Sequence, residues 1–342
     1  MRVDLATTTD ENMLRECLER LIPATLDRSS AIINLQRKRS DYSSSYLSDI
    51  ITVQFDTGEN LKLFLKNFGY TRFLKDGAKQ RRDRERGVYQ DLLAGTDLGT
   101  AKYYGSVWDE SQGTFWLLLE FINGTEVRFC KVEYWIAAAG WLGRLHGYFT
   151  QHSDRLSRCD FLVRHDADFF QSRAEQALRE VSQISIPLAD RLASFLGRYD
   201  WIVDVMASQP LTLAHGHFRP CNIVVDVTVE PARICPVDWE QAAIGSALYD
   251  LALISDGFEP PALDQFLEAY RQEAIKHSVA LPEREELRHV VTCFRLFMAI
   301  NLLSRAHQRN FSERKIAKII DLLEKLDRLV FAGKANTLGT RP

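Results

Sequence analysis

Apolar residues recur at helical spacing near the start of the chain, where Leu14, Leu18, Leu21 and Ile22 line one face of residues 10–22. Thr9 or Asp10 there is of the kind that caps a first turn. The pattern then switches to period two. Residues 31–35 are apolar and β-branched, 49–55 and 61–66 alternate, and Asp56-Thr57-Gly58-Glu59 between the latter two reads as a hairpin turn. A helix over 79–94 follows, then strands over 101–108 and 114–121. Beyond Phe121, Asn123-Gly124 marks a turn and helical periodicity takes over, at 132–149, 167–182, 187–206, 262–278, 284–307 and 312–331. In the last of these, Ile316, Ile319, Ile320, Leu323, Leu326 and Val330 form one stripe. The only later β signal is a hairpin over 223–227 and 233–237. The order predicts two parts: residues 1–121 with an antiparallel sheet and one key helix, and residues 122–342, mainly helical.

The chain's 342 residues are too many for one small core and suit such a two-part unit. A net charge of −3 gives no general attraction to nucleic acid or to an anionic membrane, so neither is expected as a partner. The six cysteines lie far apart, without a CxxC or a zinc-spaced cluster, which fits a reducing cytosol. The first residues, MRVDLATTTDENML, lack the basic-then-apolar profile of a signal peptide. No run approaches the ~20 apolar residues that span a bilayer. The expected location is cytoplasmic; oligomeric state has no signature.

The chemistry concentrates in His215-Gly216-His217-Phe218-Arg219-Pro220-Cys221-Asn222. His-x-Asp followed five residues later by Asn is how a kinase catalytic loop sets a carboxylate beside the acceptor hydroxyl and an amide on Mg²⁺. Here the spacing and the Asn are present, but the carboxylate position holds His217. Sixteen residues after Asn222, Asp238 ends an apolar run. An amide and a carboxylate are the oxygen donors that Mg²⁺ wants. The plainer reading of Asp238 is a strand-end cap.

At this point the chain resembles the aminoglycoside phosphotransferase family, small-molecule kinases that share the protein-kinase-like fold with choline kinases. The resemblance runs from about Ile32 to Leu253. It is carried by the strand at 61–66 ending in Lys66, by Arg84-Glu85 opening a helix, and by WLLLEFING (116–124). LGRLHG (142–147), HGHFRPCNIVV (215–225) and PVDWEQAAIG (236–245) with Tyr249-Asp250-Leu251-Ala252 complete it. The departure is His217, where the family pattern reads HGD or, in some branches, HGE.

The resemblance implies a bilobal α+β, protein-kinase-like fold, with an antiparallel five-stranded sheet and helix in the N-lobe and a mainly helical C-lobe. It gives Lys66 the phosphates, with Glu85 as ion-pair partner, although Lys62 competes for the task and the charged run 79–91 also reads as a solvated helix face. The main chain at Glu120 and Ile122 would meet the base, which leaves ATP and GTP open. The serine-rich loop 40–46 would cover phosphates, or is a plain surface loop. His215 and Asp250 would support the catalytic loop, Asp250 alternatively capping a helix. Neutral imidazole at His217 would accept a hydrogen bond from the attacking hydroxyl in place of a carboxylate. The expected function is ATP- and Mg-dependent phosphorylation of a small-molecule hydroxyl; the alternative is a weak or inactive nucleotide-binding pseudokinase acting through partners.

Overall fold

The structure, a computed structural model, describes residues 8–26, 30–41, 45–71, 76–277, 279 and 281–338. Its elements begin with α1 (Thr8–Leu26), β1 (Ile32–Arg39), β2 (Tyr46–Phe55), β3 (Asn60–Thr71) and α2 (Ala78–Gly87), the last continued by a π-helical turn over Val88–Leu93. Next come β4 (Tyr103–Asp109), β5 (Thr114–Glu120), β6 (Thr125–Glu126), α3 (Val132–Gln151), α4 (Ser153–Ser157) and β7 (Val163–Arg164). Then follow α5 (Ala167–Ser182), α6 (Ile186–Leu196), α7 (Tyr199–Ala207), β8 (Leu211–Ala214), β9 (Ile223–Asp226), β10 (Arg233–Pro236) and β11 (Ala243–Ser246). The chain closes with α8 (Ala247–Ile254), α9 (Ala262–Lys276), α10 (Arg284–Leu303) and α11 (Glu313–Leu338). They fall into two compact units, Met1–Gly124 with Asp226–Glu240, and Thr125–Val225 with Gln241–Pro342.

In the first unit, a five-stranded antiparallel sheet has the order β1-β2-β3-β5-β4. The α1 stripe, Leu14, Leu18 and Ile22, is buried with Leu35, Val53, Leu63, Leu65, Trp116 and Leu118 of the sheet. Two expectations are corrected here. The first strand does not stop at Leu35 but continues through Arg39, because Arg37 and Arg39 clamp the buried carboxylate of Asp49 on β2 at 2.7 and 3.1 Å. The charged run of α2 is not a solvated face either. The Arg82 guanidinium lies 3.3 Å from the Phe115 ring centre, Arg86 covers Trp108 at 4.7 Å, and the Trp108 indole N–H donates to Asp83 at 2.9 Å. This helix is held to the sheet by guanidinium–ring stacking instead of an apolar stripe. The middle of the serine-rich loop, 42–44, lies outside the described residues.

In the second unit, the helix expected over 187–206 is two, α6 and α7, parted at Gly197-Arg198. The apolar spacing runs unbroken through that point, but glycine is the weakest helix former after proline and lets the chain turn. Further strands appear that the pattern did not announce. β11 pairs antiparallel with β8 and parallel with β7, and β6 pairs with β9. They are two to four residues long, too short for a period-two signal. Helices α5, α8 and α10 converge on an aromatic core in which Phe297 lies 4.8 Å from Phe170 and 6.0 Å from Tyr249. Among the described residues, no helix is long and apolar enough to cross a membrane.

Candidate active site

Period two decides where the β3 lysines point. Leu63 and Leu65 face the α1 core, so Lys66 faces the other side of the sheet, toward α2. Its ammonium donates to both oxygens of Glu85, at 2.9 and 2.7 Å, and to Asp238 Oδ1 at 2.6 Å. The rings of Tyr46 and Phe68 flank it at 5.6 and 5.2 Å. Lys62, the competing lysine, lies over Phe121 at 6.0 Å instead.

Asp238 has φ of +68°, in the left-handed region that side chains rarely adopt, and its neighbours hold it there. Trp239 is wholly buried, with its indole N–H donating to Pro236 O at 3.3 Å. Glu240, which sequence reasoning left unassigned, joins the same cluster. Carboxylate oxygens of Glu85, Asp238 and Glu240 all lie within 4.8 Å of one another. Glu240 Oε1 accepts from Arg81 at 3.2 Å, and its carbonyl accepts from Arg84 at 2.6 Å. The signal was available: an acid two residues from Asp238, across a tryptophan turned into the core.

Burial works against the charges of Lys66 and Glu85. For Lys66 the attraction of Asp238, Glu85 and Glu240 overcomes burial, so the ammonium is held protonated well above the ordinary lysine range. Burial pushes the Glu85 carboxyl up to about 7, with Lys66 pulling the other way. At the end of β5, Arg233 grips Glu120 with two bonds, at 2.7 and 2.8 Å, and also donates to Gly99 O and Thr100 O. The Glu120 amide donates to Lys102 O at 2.8 Å, and Ile122 O accepts from Gly124 N at 3.0 Å.

In the second unit, β8 delivers the loop that begins at His215. Gly216 has φ of +74°, and a Cβ there would sit 2.0 Å from Gln241 O, so only glycine fits. The wholly buried Asp250 of α8 accepts from the amides of His215, at 2.6 Å, and Gly216, at 3.0 Å. Burial pushes its carboxyl up to about 7, against the bonds from His215, Gly216 and Phe218. The His215 ring is also buried, lies edge-on to Phe218, and accepts at Nδ1 from the His217 amide at 3.3 Å. Phe218 in turn stacks on Trp141 of α3 at 5.8 Å.

Asn222 donates through Nδ2 to His217 O at 3.0 Å, and the same nitrogen stands 3.0 Å from His217 Nδ1. An amide NH₂ only donates, so Nδ1 is the acceptor and the neutral ring carries its proton on Nε2. His217 therefore presents an N–H donor where the sequence reading expected an acceptor. Asn222 Oδ1 faces the Cys221 thiol at 3.6 Å, a weak donor that a hard cation would displace. The oxygen chemistry of Asn222 and Asp238, each within its own unit, thus fits magnesium.

Residues 53–290 match the profile of the phosphotransferase enzyme family. The chain belongs to that family. No curated protein sequence matches it. Among solved structures it is similar to choline kinase from Cryptosporidium parvum Iowa II, at 14% identity and a TM-score of 0.62, over 94% of this chain and 97% of that one. It is also similar to the GDP complex of wild-type aminoglycoside 2'-phosphotransferase, at 13% identity and 0.55, over 94% and 99%. A third is a microcompartment-associated aminopropanol kinase, at 16% identity and 0.52, over 95% and 98%. These likenesses show a kinase-like α+β fold, and family membership makes the chain a phosphotransferase, the enzyme class expected from its motifs.

Proposed function

We propose that this phosphotransferase moves the γ-phosphoryl group of ATP to a hydroxyl of a small molecule. The observation that carries the reading is the contact of Lys66 with both Glu85 and Asp238, which holds one ammonium between two acids. Lys66 would grip the phosphates, Glu85 would keep it in place, and Glu120 and Ile122 would offer main-chain groups to the base. Asp238 and Asn222 would hold Mg²⁺, which spreads the charge of the transferred group when bound. His215 and Asp250 would fix the loop, and His217 would orient the acceptor through Nε2–H.

The acceptor oxygen forms a bond to the γ-phosphorus as the bond to the β,γ-bridging oxygen breaks. ADP leaves, and the hydroxyl proton passes to an oxygen of the transferred group. The loose transition state of phosphoryl transfer needs orientation more than proton abstraction, so a donor at His217 is compatible with turnover. The same donor, standing where no carboxylate does, also favours a second reading: a nucleotide-binding protein without turnover.

The test is thermal unfolding with and without Mg·ATP, followed by ATP consumption against a panel of hydroxyl acceptors. A metal-dependent upward shift at millimolar nucleotide, lost in Asp238→Ala, is expected through linkage. No shift in the wild-type protein would remove the reading. Binding without consumption against any acceptor would leave the second.

A further inference from the structure

We propose that Arg233 is a positioning residue for the nucleotide base: its guanidinium fixes the end of β5 at Glu120, so that the main chain there is set in place before the base arrives. The proposal rests on the kinase reading above and adds to it a residue that acts through Glu120 and not on the nucleotide itself.

β5 leaves its sheet at Glu120, where its ladders end with Glu120 opposite Leu63 of β3 and Leu119 opposite Tyr103 of β4. Strand ends are where a sheet opens most readily. Here Lys102 continues the pairing: its carbonyl accepts from the Glu120 amide at 2.8 Å, and its amide donates to Glu120 Oε2 at 3.0 Å. Arg233, 113 residues further along the chain and in the same unit, closes the end from β10. Its Nη1 and Nη2 donate to the two Glu120 oxygens at 2.7 and 2.8 Å. Its Nε and Nη2 donate to Gly99 O at 2.9 Å and Thr100 O at 2.8 Å. One planar fork thus ties Glu120 to the segment that leads into β4, a geometry that a lysine ammonium cannot reproduce.

The side chains of Arg233 and Glu120 are 25% and 29% exposed, so salt screens the pair less than one on the open surface. Burial raises the Glu120 carboxyl, but the bonds from Arg233 and Lys102 outweigh it and hold the group below its ordinary range, so the pair is ionised at neutral pH. Its place in the fold gives it more than a stabilising part. β10 begins at Arg233 and ends at Pro236, two residues before Asp238. The strand therefore starts at the guanidinium that holds the base-side main chain and runs out toward the carboxylate that meets Lys66. Asp238 has anchors of its own, in Lys66 and in the buried Trp239 bonded to Pro236 O. Loss of the Arg233 fork should then loosen the base end of the nucleotide site and spare the phosphate end.

The experiment titrates the full-length protein by calorimetry with Mg·ATP and with Mg·tripolyphosphate, which has the phosphates and no base. The ratio of the two dissociation constants reads what the nucleoside end adds. Wild type should favour Mg·ATP. In Arg233→Gln that preference should fall about tenfold, the order of re-ordering one or two side chains on binding, with Mg·tripolyphosphate bound as before. Arg233→Lys should recover part of the preference through a single bond to Glu120. Glu120→Gln should lower it too, and the double variant should fall no further than Arg233→Gln, because the two residues act as one unit. An unchanged preference in Arg233→Gln overturns the proposal. So does an equal loss for both ligands, which a general folding defect would give, and so do additive losses in the double variant. If wild type binds neither ligand, the kinase reading falls and takes the proposal with it; if wild type favours Mg·ATP and the variants match it, the proposal falls alone.

Discussion

The side-chain nitrogen of Asn222 lies 3.0 Å from both the main-chain oxygen and the ring Nδ1 of His217, so one amide fixes the orientation and the tautomer of the imidazole. The same bond turns Asn222 Oδ1 away from His217. Two residues five apart in sequence thereby orient each other, the imidazole held at Nδ1 and the amide oxygen left toward the Cys221 thiol.

Nitrogen-15 spectra of the histidine side chains should show His217 in the Nε2–H form at neutral pH, because Nδ1 is an acceptor. Asn222→Ala should release that preference. A bare Nε2 in the wild-type protein would contradict the assignment.

If the Nε2–H of His217 orients the acceptor, removing the ring should slow turnover. His217→Ala should lower turnover by about a hundredfold, the usual worth of one oriented donor at a reacting centre. His217→Asp puts an ionised acceptor in place of the donor and should recover part of that turnover. Rates for wild type and His217→Ala that match at every pH would remove the residue from the mechanism.

Glu85 and Asp250 both hold a proton more tightly in the folded protein, at about 7 in each case against 4.5 and 3.8 otherwise. Between those values the folded state binds more protons than the unfolded one, so these two groups make stability fall as pH rises through that window. Glu85→Gln should flatten the slope of unfolding free energy against pH, measured by urea titration. An unchanged slope would mean that the carboxyl titrates normally in the fold.

Asp250→Ala leaves loop amides buried without an acceptor, and each such group costs about 1–3 kcal/mol. The loss of stability should therefore exceed about 2 kcal/mol, accompanied by loss of turnover as the loop from His215 to Asn222 loses its anchor. A variant near wild-type stability would show that water or another group takes over the amides.

Gly216→Ala and Gly58→Ala separate strain from collision. Both glycines have positive φ, +74° and +84°, but a Cβ meets Gln241 O at 2.0 Å in the first and nothing within 4 Å in the second. Gly58→Ala should cost about 1 kcal/mol of backbone strain, and Gly216→Ala distinctly more, because main chain must move. Equal costs by urea titration would mean that the loop yields easily at Gly216.

The class of fold and the residues at which to look were legible in the chain alone. Period two and period 3.6 are imposed by the backbone, so β2 and β3 could be read from side-chain alternation and most helices from their apolar stripes. The spacing of His215, His217 and Asn222 is likewise local, since one turn of loop carries all three. What distant residues do together depends on the folded chain. The charged helix α2 has no apolar stripe to read, and its packing depends on Phe115 and Trp108 arriving from strands β4 and β5. Lys66 and Asp238 are 172 residues apart, and nothing in either neighbourhood states that one ammonium will meet two acids. The place of Glu240 in that cluster, and the tautomer of His217, depend on hydrogen bonds whose geometry exists only once the chain has folded. Periodicity reports which face of an element is buried; contact chemistry depends on what the opposite face meets, and that is a property of the whole chain.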